Sequence, residues 1–232
     1  MQICKRNLGS CCFFAARMSK NKTEKFREFE SFTNTLDFNS DTKGKWHEIF
    51  GNTNPVVLEL ACGKGDYTVG LAKMFPEKNF IGIDIKGNRL WKGAGTALKE
   101  DLRNVRFLRI QIDFIEKHFE KDEVSEIWIT FPDPQPQKLR KRLTSQVFLN
   151  RYRNIAKPNC VINLKTDSDL FYESTLETIA EESLEILENI TNVYQLQVVP
   201  EILEIQTYYE KMWLGMGRTI KFLKFKLFSN SR

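Results

Sequence analysis

The strongest constraint on the fold is an alternation of two hydrophobic periods from residue 55 onward. Short apolar segments typical of strands occur at 56–60, 80–84, 105–110, 127–131 and 160–165. Apolar residues recur at helical spacing at 66–74, from the second strand to about 102, at 114–119, at 146–156 and from 169 to about 189. Because strands that alternate with helices pair in parallel, this pattern predicts a parallel sheet with helices on both faces.

The C-terminal part departs from this alternation. An extended region at 194–205 and a short helix near 207–214 precede a β-rich end at 219–228. Two late strands without a full crossover helix between them predict an antiparallel hairpin at the sheet edge. The expected fold is therefore α/β, with a doubly wound, mostly parallel, seven-stranded sheet and an antiparallel C-terminal edge.

The 232 residues are enough for one domain with a full core, and no internal repeat or linker divides them. We predict the domain proper at 51–232, after a basic and aromatic N-terminal arm at 18–50. The aromatic residues of this arm either pack on the domain or contact nucleic acid. Residues 1–17 are expected to be a disordered leader, or an over-extended start with translation beginning at Met18.

Charge and cysteine content narrow the function classes. A net charge of +5 is compatible with nucleic acid without requiring it. Five cysteines without a C-x-x-C pair, and only His47 and His118, argue against a zinc site, so no metal is expected. The odd number of cysteines fits a reducing cytoplasm. No apolar run reaches the roughly 20 residues of a membrane span, so no membrane partner is expected.

Residues 128–142 read WITFPDPQPQKLRKR. Pro132 and Pro134 end the preceding strand and hold Asp133 in a stiff turn, because proline lacks an N–H and restricts φ. A carboxylate at the carboxyl end of a strand lies where open α/β sheets bind ligands. The cations that follow either grip a polyanionic substrate or form a solvated charge run. They are Lys138, Arg140, Lys141 and Arg142.

A glycine loop follows the first predicted strand in the segment ELACGKGD. Gly63 and Gly65 permit positive φ and close approach of the backbone to a ligand. The segment departs from the G-x-G-x-x-G dinucleotide fingerprint, since Thr68 stands where the third glycine would be. S-adenosylmethionine (SAM), a cationic donor without a phosphate, fits this loop better than a dinucleotide does.

Three carboxylates at the ends of three successive strands predict a negative cleft for such a cation. Glu59 is expected near the methionine end of SAM, Asp84 at the ribose hydroxyls and Asp113 at the adenine edge. The alternative is that each carboxylate only caps the N-terminus of a helix.

Five motifs occur in a fixed order along the chain: ELACGKG, FIGID, FPDP with its basic tail, NLKTD at 163–167 and TYYE at 207–210. With them, the chain resembles the bacterial tRNA (guanine-N7)-methyltransferases over about residues 20–228. The resemblance implies a Rossmann-like class I methyltransferase that transfers a methyl group from SAM to guanine N7 in tRNA. It also implies position 46 of the variable loop as the target, and either a monomer or a homodimer.

The resemblance implies roles for the donor-binding residues. Glu59, Asp84, Asp113 and the glycine loop would bind SAM. Asp133 would serve at the reaction centre and also line the donor pocket.

The resemblance likewise implies substrate contacts by Asp167, Thr207 and Glu210. After FPDP the family has a tryptophan and then a substrate-binding lysine, whereas this chain has glutamines, the second of them Gln137 at the place of the lysine. The neighbouring Lys138 could substitute for it, so Gln137 and Lys138 are both candidates for substrate binding.

The expected chemistry needs orientation rather than a strong base, because guanine N7 already carries an in-plane lone pair. Asp133 would stabilise the positive charge that develops on the purine, and Asp167 would accept hydrogen bonds from the guanine edge. The basic residues after FPDP would hold the phosphates around a flipped-out nucleotide. Two other readings are a methyltransferase for another RNA or a small molecule, and a non-catalytic RNA-binding subunit on the same scaffold.

Overall fold

The computed structural model describes residues 21–229, and the predicted leader at 1–17 lies outside them. The strands are Thr35–Asp37 (β1), Val56–Leu60 (β2), Asn79–Asp84 (β3), Val105–Arg109 (β4), Val124–Thr130 (β5), Ala156–Thr166 (β6), Ile186–Ile190 (β7) and Lys221–Lys226 (β8). The helices are α1, of which residues 21–31 are described, Trp46–Phe50 (α2), Asp66–Met74 (α3), Gly87–Lys99 (α4), Gln146–Arg153 (α5), Asp169–Glu181 (α6), Glu201–Glu204 (α7) and Tyr208–Gly215 (α8). Short 3₁₀ helices occupy Ile112–Lys117, Leu139–Lys141 and Val193–Gln195.

All eight strands form one sheet in the order β1-β4-β3-β2-β5-β6-β8-β7. Strands β1 to β6 pair in parallel, and β8 runs antiparallel to both β6 and β7. The predicted α/β class, with a mostly parallel sheet and an antiparallel C-terminal edge, is confirmed.

Helices cover both faces of the sheet, as the near-continuous apolar strands require. On one face, Trp46, Phe148 and Phe171 are buried in a single apolar cluster with the strand residues. On the other face, Phe29 and Leu90 belong to a second buried cluster. In the part of the chain that the structure describes, no helix is long and apolar enough to cross a membrane.

The sheet has one strand more than the seven predicted, because the N-terminal segment adds β1 to the edge. Thr35 pairs with Phe107 and Asp37 with Arg109. The strand is only three residues long and its residues are half-buried, so hydrophobic periodicity could not reveal it. Phe29 and Trp46 from the same segment are buried, whereas Phe38 is 60% exposed. The boundary placed at residue 50 stays a prediction.

The long helix predicted from 169 to about 189 was wrong in its second half. Ser168 caps the helix, its hydroxyl accepting from Phe171 N, but the helix ends at Glu181. Ser183 then takes a positive φ of 51°, which a right-handed helix cannot contain. The chain turns there into β7, which pairs with β8, so this tertiary pairing prevails over local helix propensity.

Candidate active site

A cleft of about 570 Å³ lies at the carboxyl ends of the parallel strands. This is where an open parallel sheet places its ligands, because the strand-to-helix loops converge at that edge. The walls come from four loops and the start of α8. They include Ala61, Cys62, Gly63, Lys64, Asp66, Asp84, Ile85, Lys86, Arg89, Asp113, Phe131, Asp133, Lys138, Lys141, Thr207 and Tyr208.

The glycine loop after β2 turns sharply into α3. Gly63 and Gly65 have φ of 56° and 69°, a region that favours glycine. A Cβ on Gly65 would approach the Phe107 ring to 2.5 Å, so this glycine allows close packing and does not line the cleft. A Cβ on Gly63 would meet no atom within 4 Å, and this glycine does line the cleft. The two predicted glycines therefore have different structural roles.

Asp84 connects the glycine loop to the end of β3. Its carboxylate accepts hydrogen bonds from Gly63 N at 3.1 Å and from Lys86 N at 2.8 Å. These bonds fix the carboxylate at the floor of the cleft, where Asp84 is 8% exposed. The residue thus organises the loop and presents negative charge to the cleft at the same time.

Glu59 does not line the cleft, contrary to the expectation that it reaches the cationic end of a donor. It is 2% exposed beneath the glycine loop. Its carboxylate accepts from Thr68 N at 2.7 Å, from the Thr68 hydroxyl and from the Thr130 hydroxyl at 2.5 Å. Glu59 belongs to strand β2, and the hydrogen bonds of its side chain connect that strand to α3 and β5.

The buried carboxyl of Glu59 makes stability depend on pH. Burial raises the pKa of Glu59 from 4.5 to about 7, while hydrogen bonds from Thr130 and Thr68 oppose the rise. Because the folded state favours the protonated form, the stabilisation is complete below the unfolded pKa and is lost as the pH rises through about 7. As the pH rises from about 4.5 to 8, we expect the unfolding free energy of the wild type to fall by about 3 kcal/mol relative to that of Glu59→Gln, which cannot ionise at this position.

Urea unfolding of both proteins at these two pH values measures the effect. Taking the difference between wild type and variant cancels groups that titrate in both. A difference in unfolding free energy that stays constant with pH would contradict the buried, proton-binding state of Glu59.

The FPDP turn presents Asp133 to the cleft. Phe131 has a φ of 48° and Gln135 a φ of 45°, so two residues with side chains adopt left-handed conformations around this carboxylate. Asp133 is exposed, and its Oδ1 accepts from Gln135 N at 3.0 Å. Strained backbone of this kind persists where the surrounding structure imposes it, and such positions cluster at functional sites.

The basic segment after this turn does not act as one patch. Lys138 and Lys141 line the cleft, and Lys141 Nζ lies 2.7 Å from Asp113 Oδ1. Arg140 is exposed outside the cleft lining. Arg142 was expected to bind phosphate, but it is 3% exposed and donates to Pro134 O at 3.1 Å. Its charge supports the FPDP turn, because the side chain folds back under the segment.

Gln137 is also exposed, and it does not line the cleft. Asp167 lies outside the cleft lining as well and forms an ion pair with Arg218 at 2.6 Å. Thr207 lines the cleft as the N-cap of α8, accepting from Glu210 N at 3.1 Å. The structure thus brings only part of the expected substrate-binding set to the cleft.

Glu210 was expected to contact substrate, but its side chain has no exposed surface. It forms an ion pair at 2.6 Å with Lys165, which is equally enclosed. Lys165 also donates to the carbonyl oxygens of Leu203 at 2.6 Å and Ile205 at 3.2 Å. The hydroxyl of Tyr194 donates to the same Glu210 oxygen at 2.7 Å. In this conformation the pair joins β6 to the segment that leads into α8.

Lys165 belongs to the NLKTD motif, but the motif by itself did not predict a role for this lysine. The available signal was a charged residue inside the apolar strand VINLKT, which is unusual unless the charge is paired. Lys64 was also missed; its Nζ lies 3.5 Å from the ring centroid of Tyr208 at the cleft wall. Among residues 21–229, no group of three or more His, Cys, Asp or Glu side chains could hold a metal ion.

Comparison with known proteins identifies similar sequences along most of the chain. A family model described as "Putative methyltransferase" matches residues 53–223. A tRNA (guanine-N(7)-)-methyltransferase of Bacteroides thetaiotaomicron is 48% identical over 90% of this chain and 87% of the relative. The enzyme of the same description from Christiangramia forsetii is 48% identical over 90% of this chain and 99% of its own length.

Solved structures share the fold at low sequence identity. The 16S rRNA methyltransferase KamB aligns with a TM-score of 0.62 at 14% identity, covering 81% of this chain and 94% of its own. A 16S rRNA (adenine(1408)-N(1))-methyltransferase variant from Catenulisporales acidiphilia, solved with its cosubstrate SAM, aligns with a TM-score of 0.53 at 14% identity. That alignment covers 82% of this chain and 92% of the other. At this identity the likeness shows the fold alone.

Proposed function

The chain belongs to the tRNA (guanine-N7)-methyltransferase family, and from this premise we propose how its cleft performs the reaction. The protein is a SAM-dependent enzyme that methylates guanine N7 in tRNA. The observation that carries the proposal is the convergence of Gly63, Asp84 and Asp133 on one cleft at the carboxyl ends of β2, β3 and β5. We further propose position 46 as the target nucleotide and, because the substrate is tRNA, a cytoplasmic location.

The cleft fits SAM in size and in hydrogen-bonding groups. Its volume lies within the range of small-molecule sites. Because Gly63 has no side chain, the space beside its backbone is open, and a ligand can lie directly against the backbone there. Asp84 and Asp113 supply acceptors for hydroxyl and amino groups. The cleft as a whole is not negative, contrary to the expectation from the sequence, because five lysine and arginine side chains line it together with four aspartates. Attraction for a cation would therefore come from individual carboxylates. When bound, SAM supplies a methyl group activated by its sulfonium.

The residues of this chain would orient the reactants and stabilise charge. Asp133 stands beside the place where the purine gains positive charge, and its fixed carboxylate lowers the energy of that charge. No residue has to remove a proton, because guanine N7 attacks through an existing lone pair. We propose Asp133 as the catalytic residue on these grounds.

Recognition of guanine would come from the side of β6 and α8. Asp167 would accept hydrogen bonds from the guanine N1–H and the exocyclic amine, sharing its carboxylate with Arg218. Tyr208 is 53% exposed at the cleft and offers a ring on which the base can stack. Thr207 shapes this wall through its cap of α8. Glu210 acts behind the wall, through its pair with Lys165.

The RNA backbone would be held by the exposed cations of the segment after FPDP. Lys138 and Lys141 are exposed in the cleft lining, and Arg140 is exposed on the same segment outside it, so all three can contact phosphates. Lys138 takes the place of the family lysine that is missing at Gln137. Lys141 contacts Asp113 in this structure, and its transfer to a phosphate would free that carboxylate for the donor. Both a monomer and a homodimer are compatible with this arrangement.

Replacing Gly63 by alanine should weaken SAM binding by about tenfold or more, because a Cβ there enters the cleft and strains a backbone at positive φ. Isothermal titration calorimetry with SAM measures the loss. Gly51→Ala is the matched control. Gly51 has a φ of 70°, its Cβ would also meet no atom within 4 Å, and it lies outside the cleft.

The two glycine variants should lose similar stability through strain, but only Gly63→Ala should lose SAM affinity. Equal SAM affinity in both variants would contradict the proposal that the glycine loop contacts SAM.

The proposed function is tested by incubating purified protein and SAM with unmodified tRNA transcripts and analysing the nucleosides by mass spectrometry. We expect 7-methylguanosine at position 46, and no product from transcripts in which that guanosine is replaced. Methylation of small acceptors or ribosomal RNA in preference to tRNA would refute the proposal that tRNA is the substrate. The absence of any methyl transfer would refute the proposed activity.

A further inference from the structure

A second pocket of about 430 Å³ adjoins the cleft on the side of β3 and β4. We call it the outer pocket and define it by Phe38, Arg109, Phe114 and Lys117. It shares a wall with the cleft, formed by Ile85 and neighbouring residues of the β4 end. No role in the proposed reaction uses these four residues.

The outer pocket gathers apolar side chains that folding leaves exposed. Phe38 is 60% exposed, Ile85 51% and Phe114 48%. Phe38 comes from the N-terminal segment, just after β1, and Phe114 from the 3₁₀ helix after β4. Two phenylalanine rings held at one pocket by separate elements are apolar surface available to a flat ligand.

Two cations accompany these rings. The Arg109 guanidinium lies 5.4 Å from the Phe38 ring centroid and 4.8 Å from that of Phe26, and Lys117 Nζ lies 5.0 Å from that of Phe114. Within the described residues, neither cation forms an ion pair, and no Asp or Glu lines the outer pocket. Arg109 Nε is buried without a hydrogen-bond partner. The two cations at the outer pocket therefore have no ion-pair partner among the described residues, and the nearest carboxylates on the neighbouring strands, Asp37 and Asp84, do not line the pocket.

From this juxtaposition we propose that the outer pocket binds one unstacked nucleotide of the tRNA substrate. Its base stacks on Phe38 or Phe114, and Arg109 and Lys117 hold the flanking phosphates. Aromatic rings interleaved with cations are the usual chemistry for an unpaired nucleotide, since every base has a flat face and every linkage an anion. The inference rests on the proposed function. It adds a second RNA contact at the β1 edge of the sheet, away from the FPDP segment.

The test replaces both rings in one variant, Phe38→Leu with Phe114→Leu, which retains apolar volume while removing the aromatic faces. We expect tRNA binding to weaken by about tenfold, the loss of one stacked base. The KM for tRNA should rise correspondingly, with kcat and SAM affinity unchanged. Fluorescence anisotropy with labelled tRNA, steady-state methylation and SAM calorimetry give the three readouts.

The matched control is Phe75→Leu. Phe75 is a half-buried ring with Lys78 Nζ 5.0 Å from its centroid, and it lines neither pocket.

The proposed phosphate contact is tested separately. Lys117→Gln should lower the salt dependence of tRNA binding by about one counterion. Lys157→Gln, at the amino end of β6, should leave it unchanged.

Three outcomes would overturn the inference. Unchanged tRNA affinity in the double variant would show that the outer pocket does not bind the tRNA. Weaker SAM binding would assign the pocket to the adenine end of the donor instead. An equal loss in Phe75→Leu would show a general effect on folding. Wild-type protein that makes no 7-methylguanosine would refute the proposed function, so the two failures are distinguishable.

Discussion

Asp133→Ala should lower kcat for tRNA methylation by about 10²–10³-fold, the loss typical when a preorganised electrostatic group is removed. Asp133 is exposed, and its carboxylate accepts one backbone hydrogen bond, from Gln135 N at 3.0 Å. The alanine variant should therefore remain folded, with the turn held by its prolines and by Arg142 at Pro134 O. Separate determination of kcat, the KM for tRNA and the KM for SAM shows which step is affected.

Asp133→Asn distinguishes charge from shape. Asparagine preserves the size and an acceptor oxygen for Gln135 N but carries no negative charge. If the carboxylate stabilises positive charge on the purine, this variant should be nearly as slow as alanine. Asp122→Asn is the control, since Asp122 is exposed just before the amino end of β5. Full activity of a folded Asp133→Ala enzyme would refute the proposed catalytic role.

The buried ion pair between Lys165 and Glu210 should contribute strongly to stability. Lys165→Met should cost about 3–5 kcal/mol of unfolding free energy, because the Glu210 carboxylate would remain enclosed without its counterion. Both side chains have no exposed surface, and Glu210 Oε2 already lacks a hydrogen-bond partner. The same substitution removes the donor to Leu203 O and Ile205 O. Urea unfolding measures the loss.

A double variant separates stability from positioning. Lys165→Met with Glu210→Leu removes both charges and should recover much of the lost stability, since apolar residues can replace a buried pair. It should still bind tRNA and SAM poorly, because the segment before Thr207 and Tyr208 is no longer tied to β6. Lys157→Met, an exposed lysine at the other end of β6, should change stability by about 0.5 kcal/mol or less. Wild-type stability of the single variant would refute the role of the pair.

The FPDP turn and the glycine loop were predictable from the sequence, because residues within each segment determine its conformation. Two prolines around Asp133 remove two backbone donors and restrict φ within three residues, and the turn is found at the carboxyl end of β5. Gly63 and Gly65 likewise take the positive φ that their position after a strand requires. Since parallel strands end at one edge, the convergence of Asp84 and Asp133 on a cleft followed from the order of elements.

Burial of individual charged side chains was predictable only where the charge stands inside an apolar strand, as at Lys165 and Glu59, and the partners of these charges were not predictable. Nothing near Arg142 in the sequence distinguishes it from Lys141, yet one is buried against the FPDP turn and the other lines the cleft. Glu59 lies between α3 and β5 only because Thr68 and Thr130 meet there.

The sequence alone determined the parallel α/β class, the family and the position of the cleft, because hydrophobic period, turn residues and motif order are properties of short segments. Tertiary structure decided the additional strand β1, the early end of α6 and the enclosure of Glu210 with Lys165. These features depend on partners distant in sequence: β4 for β1, β8 for β7, and the segment before α8 for Lys165. Free energy from such pairing and burial prevails over local propensity, and it arises only when the whole sheet is assembled.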